Sequence, residues 1–236
     1  MRPGDDLAGF LAAATPPDLS PADVLVVAQK VVSKAEGRLR HLGAIEPGER
    51  ALALAAEHRK DPRLVQAVLD ESAEVLRARD GVFICVTPQG LVCANAGVDQ
   101  SNAGASDELV LLPEDPDASA RRLRAGIALA RGVRPGVLIT DSFGRAWRLG
   151  QTDVAIGAAG LVPIEDWQGR PDTYGRELRV TQIAVADAIA AAADLARAKD
   201  SREPAVLVRG VGRFVTEDDG PGAAALRRPA ERDLFR

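Results

Sequence analysis

The stretch that most constrains this chain is residues 136–157, GVLITDSFGRAWRLGQTDVAIG. An apolar run of strand character, 136–139, breaks at once into Thr140, Asp141 and Ser142. Two arginines, a Trp and two glycines follow before apolar residues resume at Val154. A strand that ends in a carboxylate between two hydroxyls, with cations and glycines behind it, is not built for packing. It presents oxygen donors at a strand end, where α/β and α+β proteins place ligand sites. Hard oxygen donors suit Mg²⁺ or Mn²⁺, and arginine forks suit phosphate.

The rest of the composition narrows the classes. With 236 residues, 46% apolar and 27% charged, the chain can bury a sizeable core as one large domain or two small ones. Aromatics are only 3%, so that core is built from Ala, Val, Leu and Ile. A net charge of −4 argues against nucleic acid as a partner. Cys85 and Cys93 flank an expected hairpin and read as buried small side chains in a reducing compartment. MRPGDDLAGF has no signal-peptide core, and no window approaches the ~18 apolar residues of a membrane span. The expected location is the cytoplasm, with no membrane partner.

Periodicity predicts helices over 5–14, 47–59, 62–79, 117–130 and 180–198, the fourth with a basic face from Arg121, Arg122 and Arg124. Strands are expected at 23–27, 108–112, 137–139, 154–161 and 204–209, with a hairpin from 82–87 and 90–94. Residues 29–38 break strand character with two lysines, and 166–176 form a polar loop. Helices and strands mix without strict βαβ alternation, and no linker or repeat divides the chain. The expected class is α+β, with mixed sheets and packed helices in a single domain over 1–236.

Four groups of residues could carry chemistry. Asp99, among Asn95, Ser101 and Asn102, is either a cation ligand or an Asx-turn connector. Lys30 and Lys34 after a strand either reach phosphate or line a solvated helix face. Arg145, Arg148, Gln151, Thr152 and Asp153 form an anion cradle or a surface ion-pair cluster. Asp166, Asp172, Tyr174 and Arg176 make a binding lip or a turn. His41 and His58 have no ligand-spaced partner and read as surface residues. P-loop, dinucleotide-binding and nucleophile-elbow patterns are missing from the sequence. What remains is a metal–phosphate site in outline.

Several motifs in one order resemble a known family. VVSKAEGR, ANAGVDQSN, TDSFGRAWRLGQTDVAIG, the loop DWQGRPDTYGRELRVT, PAVLVRG and RPAERDLFR are together similar to the coenzyme F420-0:γ-glutamyl ligase family, over residues 3–236. The resemblance implies an enzyme that adds L-glutamate to the lactyl-phospho deazaflavin precursor F420-0. GTP would be the co-substrate and an acyl phosphate the intermediate. It also implies two divalent cations per subunit, Mg²⁺ or Mn²⁺, an assisting K⁺, and an intertwined homodimer of γ-glutamyl-ligase-type fold. By motif, Asp99, Asp141, Ser142 and Asp200 would be metal ligands, and Gln29, Lys34, Asn102 and Lys199 nucleotide contacts. Arg145 and Arg148, beside Asp141, are added as sources of positive field for the chemistry. The family places a Leu-Pro-Glu-type nucleotide contact ahead of PGDDL, where this sequence has Met1-Arg2, and some members carry a nitroreductase-like domain that is not expected here. The same scaffold also suits an amide ligase with another acceptor, or a non-catalytic deazaflavin- or nucleotide-binding protein.

Overall fold

The structure is a computed structural model that describes residues 1–100, 107–197 and 201–234, so Asn102, Lys199 and Asp200 lie outside the described residues. Helix α1 (Leu7–Ala14) is started by the Asp6 carboxylate, which accepts from the Gly9 amide at 2.9 Å. Strand β1 (Val24–Ala28) is VLVVA, with its first four residues buried, and leads without a break into α2 (Gln29–Ala35). After β2 (Leu39–His41) come α3 (Glu49–His58) and α4 (Pro62–Asp70). The next three strands, β3 (Glu74–Arg79), β4 (Val82–Val86) and β5 (Val92–Ala94), form an antiparallel meander. β6 (Glu108–Val110) pairs with β2. α5 (Pro116–Arg131) starts with an Asp115 cap and a first-turn proline and ends on left-handed Gly132. A long hairpin follows, β7 (Gly136–Arg145) and β8 (Arg148–Ala159), turning at Ala146 and Trp147. β9 (Ile164–Asp166) pairs with β10 (Gln182–Ala184), which is followed by α6 (Val185–Leu195) and β11 (Ala205–Val208).

The central sheet has the order β11-β1-β7-β8. β1 and β7 run parallel, and both outer pairings are antiparallel. Both faces of β1 are covered, which is why it reads as a continuous apolar run. Leu25 and Val27 pack with Leu11, Ile127 and Ile139 toward α1 and α5. Val24 and Val26 pack with Leu138, Ala158 and Ile189 toward α6. A further apolar cluster joins α3 and α4 to the meander through Val65, Val68, Phe83 and Cys85. The mixed α+β class expected from the sequence is what the chain adopts.

Two expected helices are shorter than their periodicity suggested. Residues 62–79 split after Asp70, where the Ser72 hydroxyl bonds back to the Val68 carbonyl, and the remainder becomes β3. Pairing with β4 overrides a helical spacing that is fortuitous beyond Leu69. Residues 180–198 likewise begin as β10, because β9 takes up the backbone of Gln182–Ala184. His58 is not a surface residue: its side chain is largely buried, edge-on to Phe83 with ring centroids 5.2 Å apart. Cys85 and Cys93 are buried free thiols directly opposite each other on β4 and β5.

α5 clamps the hairpin to the sheet. Asp117 accepts from the amides of Ala158, Ala223 and Ala224 at 2.8, 2.7 and 3.1 Å. Arg124 is no part of a solvated basic face; it is 1% exposed. Its guanidinium donates to the carbonyls of Pro135, Thr216 and Asp218 and to the Asp219 carboxylate. β8 passes so close to the start of α5 that a Cβ on Gly157 would lie 2.3 Å from the Pro116 carbonyl oxygen. Gly157→Ala is therefore expected to destabilise the fold by about 1–3 kcal/mol in urea unfolding. Gly144→Ala, where an added Cβ meets nothing within 4 Å, should change stability by less than about 0.5 kcal/mol.

Candidate active site

The parallel register of β1 and β7 builds the site. Val24 lies opposite Gly136 and Ala28 opposite Thr140, after which β1 turns into α2. Thr140, Asp141 and Ser142 do not end a strand as the sequence suggests, because β7 continues to Arg145. What ends at Thr140 is its neighbour, and the vacated flank is a cleft of about 1030 Å³. Its polar lining includes Gln29, Lys30, Thr140, Asp141, Ser142, Asp153 and Arg197, with Asp194, Ser201, Arg202 and Glu203 beside them, and α1 supplies an apolar wall.

Lys30 Nζ lies 2.6 Å from the Asp99 carboxylate. Asp99 is brought there by a two-way backbone bridge to Val110 at the end of β6. Gln29 is buried, with its amide nitrogen donating to Ser33 Oγ at 2.6 Å and the Leu111 carbonyl at 3.0 Å. Burial pushes the Asp141 carboxyl up to about 6, against the Ser142 amide bond and the Lys30 charge, which favour its ionised form. The charges of Asp153 and Asp99 push it further up. A carboxylate that is desolvated and surrounded by other acids gains from a cation.

Asp153 organises the floor. It accepts from Thr140 Oγ1 at 2.8 Å and Ser142 Oγ at 2.7 Å. An ionised carboxylate only accepts, so the Ser142 hydroxyl commits its proton to Asp153 and can offer only lone pairs toward the cleft. Arg197 pairs with Asp153 at 2.5 Å, the two side chains being 7% and 6% exposed. Arg197 Nη1 is buried without a hydrogen-bond partner among the described residues, a donor suited to an anion in the same cleft.

A sequence profile described as F420-0:Gamma-glutamyl ligase matches residues 1–210. The chain belongs to the F420-0:gamma-glutamyl ligase family. It is 45% identical over 238 residues to the coenzyme F420:L-glutamate ligase of Methanopyrus kandleri, covering all of this chain and 93% of that one. The corresponding Haloarcula marismortui ligase is 44% identical over 243 residues, covering all of this chain and 91% of that one. The Archaeoglobus fulgidus ligase is 47% identical over 213 residues, covering 89% of this chain and 84% of that one.

Within this family member the expected residues separate into two sets. Gln29, Asp141 and Ser142 line the cleft, and Asp99 reaches it through Lys30. Lys34 sits in the last turn of α2 and is not among the lining residues. Arg145 and Arg148 are exposed at the tip of the hairpin, roughly 13 Å of strand beyond Asp141. Arg145 donates to the carbonyls of Leu149 and Gly150 in its own turn. The single chain does not bring the two arginines to Asp141.

Arg197 carried no sequence signal, since it follows a helix without any motif around it. Asp153 was visible only as a neighbour of the arginines. Counting back from a turn at Ala146 and Trp147 would put Gln151 opposite Ser142. The irregularity between Gly144 and Arg145 moves that pairing to Asp153.

Among the described residues no three His, Cys, Asp or Glu side chains converge as a metal-binding group. Mg²⁺ is ordinarily bound by one or two carboxylates with phosphate and water oxygens. Asp99, Asp141 and Ser142 fit that donor set.

The Asp141 carboxyl, at 3.8 in the unfolded chain, rises to about 6 on folding. The metal-free folded chain thus binds one more proton between those values, and its stability falls as pH rises through about 6. Urea unfolding of the metal-free protein at about pH 5 and pH 7.5 should show a larger loss in the wild type than in Asp141→Asn, which keeps the smaller contribution of the Asp187 carboxyl, also raised by burial. Asp153→Asn leaves the Arg197 charge buried without its counter-ion and is expected to cost about 3 kcal/mol in the same assay.

Proposed function

We propose that this chain is a GTP-dependent ligase that joins the amine of L-glutamate to the carboxylate of the deazaflavin precursor F420-0. The observation that carries the reading is the cleft, where Asp141 and the lone pairs of Ser142 face Lys30 and Asp99 in a chain whose relatives are named coenzyme F420:L-glutamate ligases. A carboxylate does not release hydroxide to an amine at a useful rate, so the acceptor must be activated. In this reading the acceptor oxygen bonds to the γ-phosphorus of GTP as the bond to GDP breaks. The amine of glutamate then forms the C–N bond, phosphate leaves, and the amine proton departs with it.

Asp99, Asp141 and Ser142 would hold Mg²⁺ or Mn²⁺. When bound, such ions offset charge on the transferring phosphoryl group. Gln29 is fixed by Ser33 and Leu111, which orients its amide for a nucleotide contact. Lys30 and Arg197 add positive charge to the cleft that Asp141 lines, and Asp153 holds Ser142 in register. Lys34, Asn102, Lys199 and Asp200 keep the nucleotide and metal roles that the family resemblance implies, and K⁺ belongs to the same proposal. Homodimerisation does too: Leu149, 98% exposed on the hairpin, is a side chain a second copy would cover. Arg145 and Arg148 would then act on the chemistry only through such an assembly.

Incubation with F420-0, GTP, Mn²⁺ and glutamate should yield glutamylated product by mass spectrometry, with GDP formed in step. Asp141→Asn should lower turnover at least about 100-fold while remaining folded by circular dichroism. Wild-type protein that forms no glutamylated product, or a variant that retains near-normal ligation, overturns the assignment.

A further inference from the structure

Arg197 is held by one of its terminal nitrogens and not by the other. Nη2 donates to the Asp153 carboxylate at 2.5 Å and to Thr140 Oγ1 at 3.2 Å, which uses both of its hydrogens. Nη1 is buried and has no acceptor among the described residues. Arg124, buried to a similar depth, is spent quite differently. Its Nε, Nη1 and Nη2 all donate, to three carbonyls and the Asp219 carboxylate. A buried donor left unmatched is costly, and folding ordinarily matches it. Arg197 keeps its unmatched donor on the wall of the Asp141 cleft, where a ligand oxygen can supply the acceptor.

The anchoring fixes where that oxygen sits. Asp153 accepts from Thr140 and Arg197 on one carboxylate oxygen and from Ser142 on the other. The guanidinium and the Ser142 hydroxyl are therefore attached to opposite ends of one carboxylate, in the cleft that Asp141 also lines. The fork cannot swing away without giving up both bonds of Nη2. A donor held in place before the reaction needs no reorganisation when charge develops in front of it, and a dry site makes its bond stronger.

We propose that Arg197 is a catalytic residue: in the ligase reading, on which this rests, its Nη1 donates to a non-bridging oxygen of the phosphoryl group as that group passes from GTP to the acceptor carboxylate. The bond from the acceptor oxygen to phosphorus forms, the bond to GDP breaks, and the guanidinium neither gains nor loses a proton. Asp153 and Thr140 are positioning residues that hold the fork. The bond from Nη1 strengthens as charge spreads over the equatorial oxygens, so its loss falls on the rate rather than on nucleotide binding.

The test uses Arg197→Lys, which keeps a cation beside Asp153 but lacks the second nitrogen of the fork. Circular dichroism and urea unfolding check the fold, and steady-state kinetics give kcat and the KM values for GTP, F420-0 and glutamate. GDP binding in Mg²⁺ buffer is measured with and without aluminium fluoride, a stand-in for the transferring phosphoryl group. In Arg197→Lys, kcat should fall about 100-fold with all three KM values within about threefold of wild type. GDP alone should bind the variant as it binds wild type, and the tightening that aluminium fluoride produces in wild type should be lost. Asp153→Asn and the double variant Asp153→Asn/Arg197→Gln repeat the binding comparison without the buried carboxylate charge, so the answer does not depend on Arg197→Lys folding. Of these two, only Asp153→Asn should keep the tightening. A folded Arg197→Lys with kcat within about threefold of wild type overturns the role, as does equal tightening in the last two variants. A raised KM for glutamate or F420-0 at unchanged kcat makes Arg197 a contact to a substrate carboxylate and also overturns it. Wild-type protein that forms no glutamylated product overturns the ligase reading itself; wild-type activity matched by Arg197→Lys overturns only the role of Arg197.

Discussion

The parallel pairing of β1 with β7 is the contact on which the site depends. Apart from half-buried Ala28, both strands are buried along the shared register, so a slip of one residue would turn Val24, Val26 and Leu138 away from α6 and into the opposite layer. The register is therefore held by the whole core. Its consequence is local: Ala28 stops beside Thr140, and Gln29 and Lys30 enter α2 at the level of Asp141 and Ser142. The two strands are far apart in the chain. The connection between them carries the meander, α3, α4 and α5, and also delivers Asp99 to the cleft through its bridge to Val110.

Charge in the cleft is arranged in pairs around one acid. Lys30 holds Asp99, Arg197 holds Asp153, and Asp141 lines the same cleft with its carboxyl raised. The Asp153–Arg197 pair is almost wholly buried, a costly placement unless each charge meets another and the remaining lone pairs are used. Here they are used, since both carboxylate oxygens of Asp153 accept hydroxyl protons from β7. The pair stabilises a geometry more than a fold. It fixes which way Ser142 can act, and it leaves one guanidinium nitrogen available to an anion.

Much of this was legible from residue chemistry. Thr140, Asp141 and Ser142 stood out because three polar side chains in a row have no reason to follow a buried run unless a ligand meets them. Asp99 stayed open between a ligand and a turn, and Lys30 with Lys34 between a phosphate contact and a solvated helix face; nothing in their spacing says that Lys30 and Asp99 form a pair 2.6 Å long. The segment at 62–79 misled because apolar spacing in its first half is helical and propensity is a weak prior against strand pairing. Arg121, Arg122 and Arg124 looked alike on a helical wheel, yet Arg124 lies under the segment that covers Gly160 and donates to two carbonyls there and to that of Pro135.

By itself the sequence determined the mixed α+β class, the buried central strand, the oxygen-donor motif and, through its ordered motifs, the family. These are local or cumulative properties: periodicity, composition and residue type along the chain. Only the tertiary structure decided that Asp153 rather than Gln151 faces Ser142, that Arg197 closes the floor, and that Arg145 and Arg148 stand away from Asp141. Each of those depends on strand register, a bulge or the direction of a helix end. Such features are settled by packing energy summed over the whole core, and no single segment encodes them.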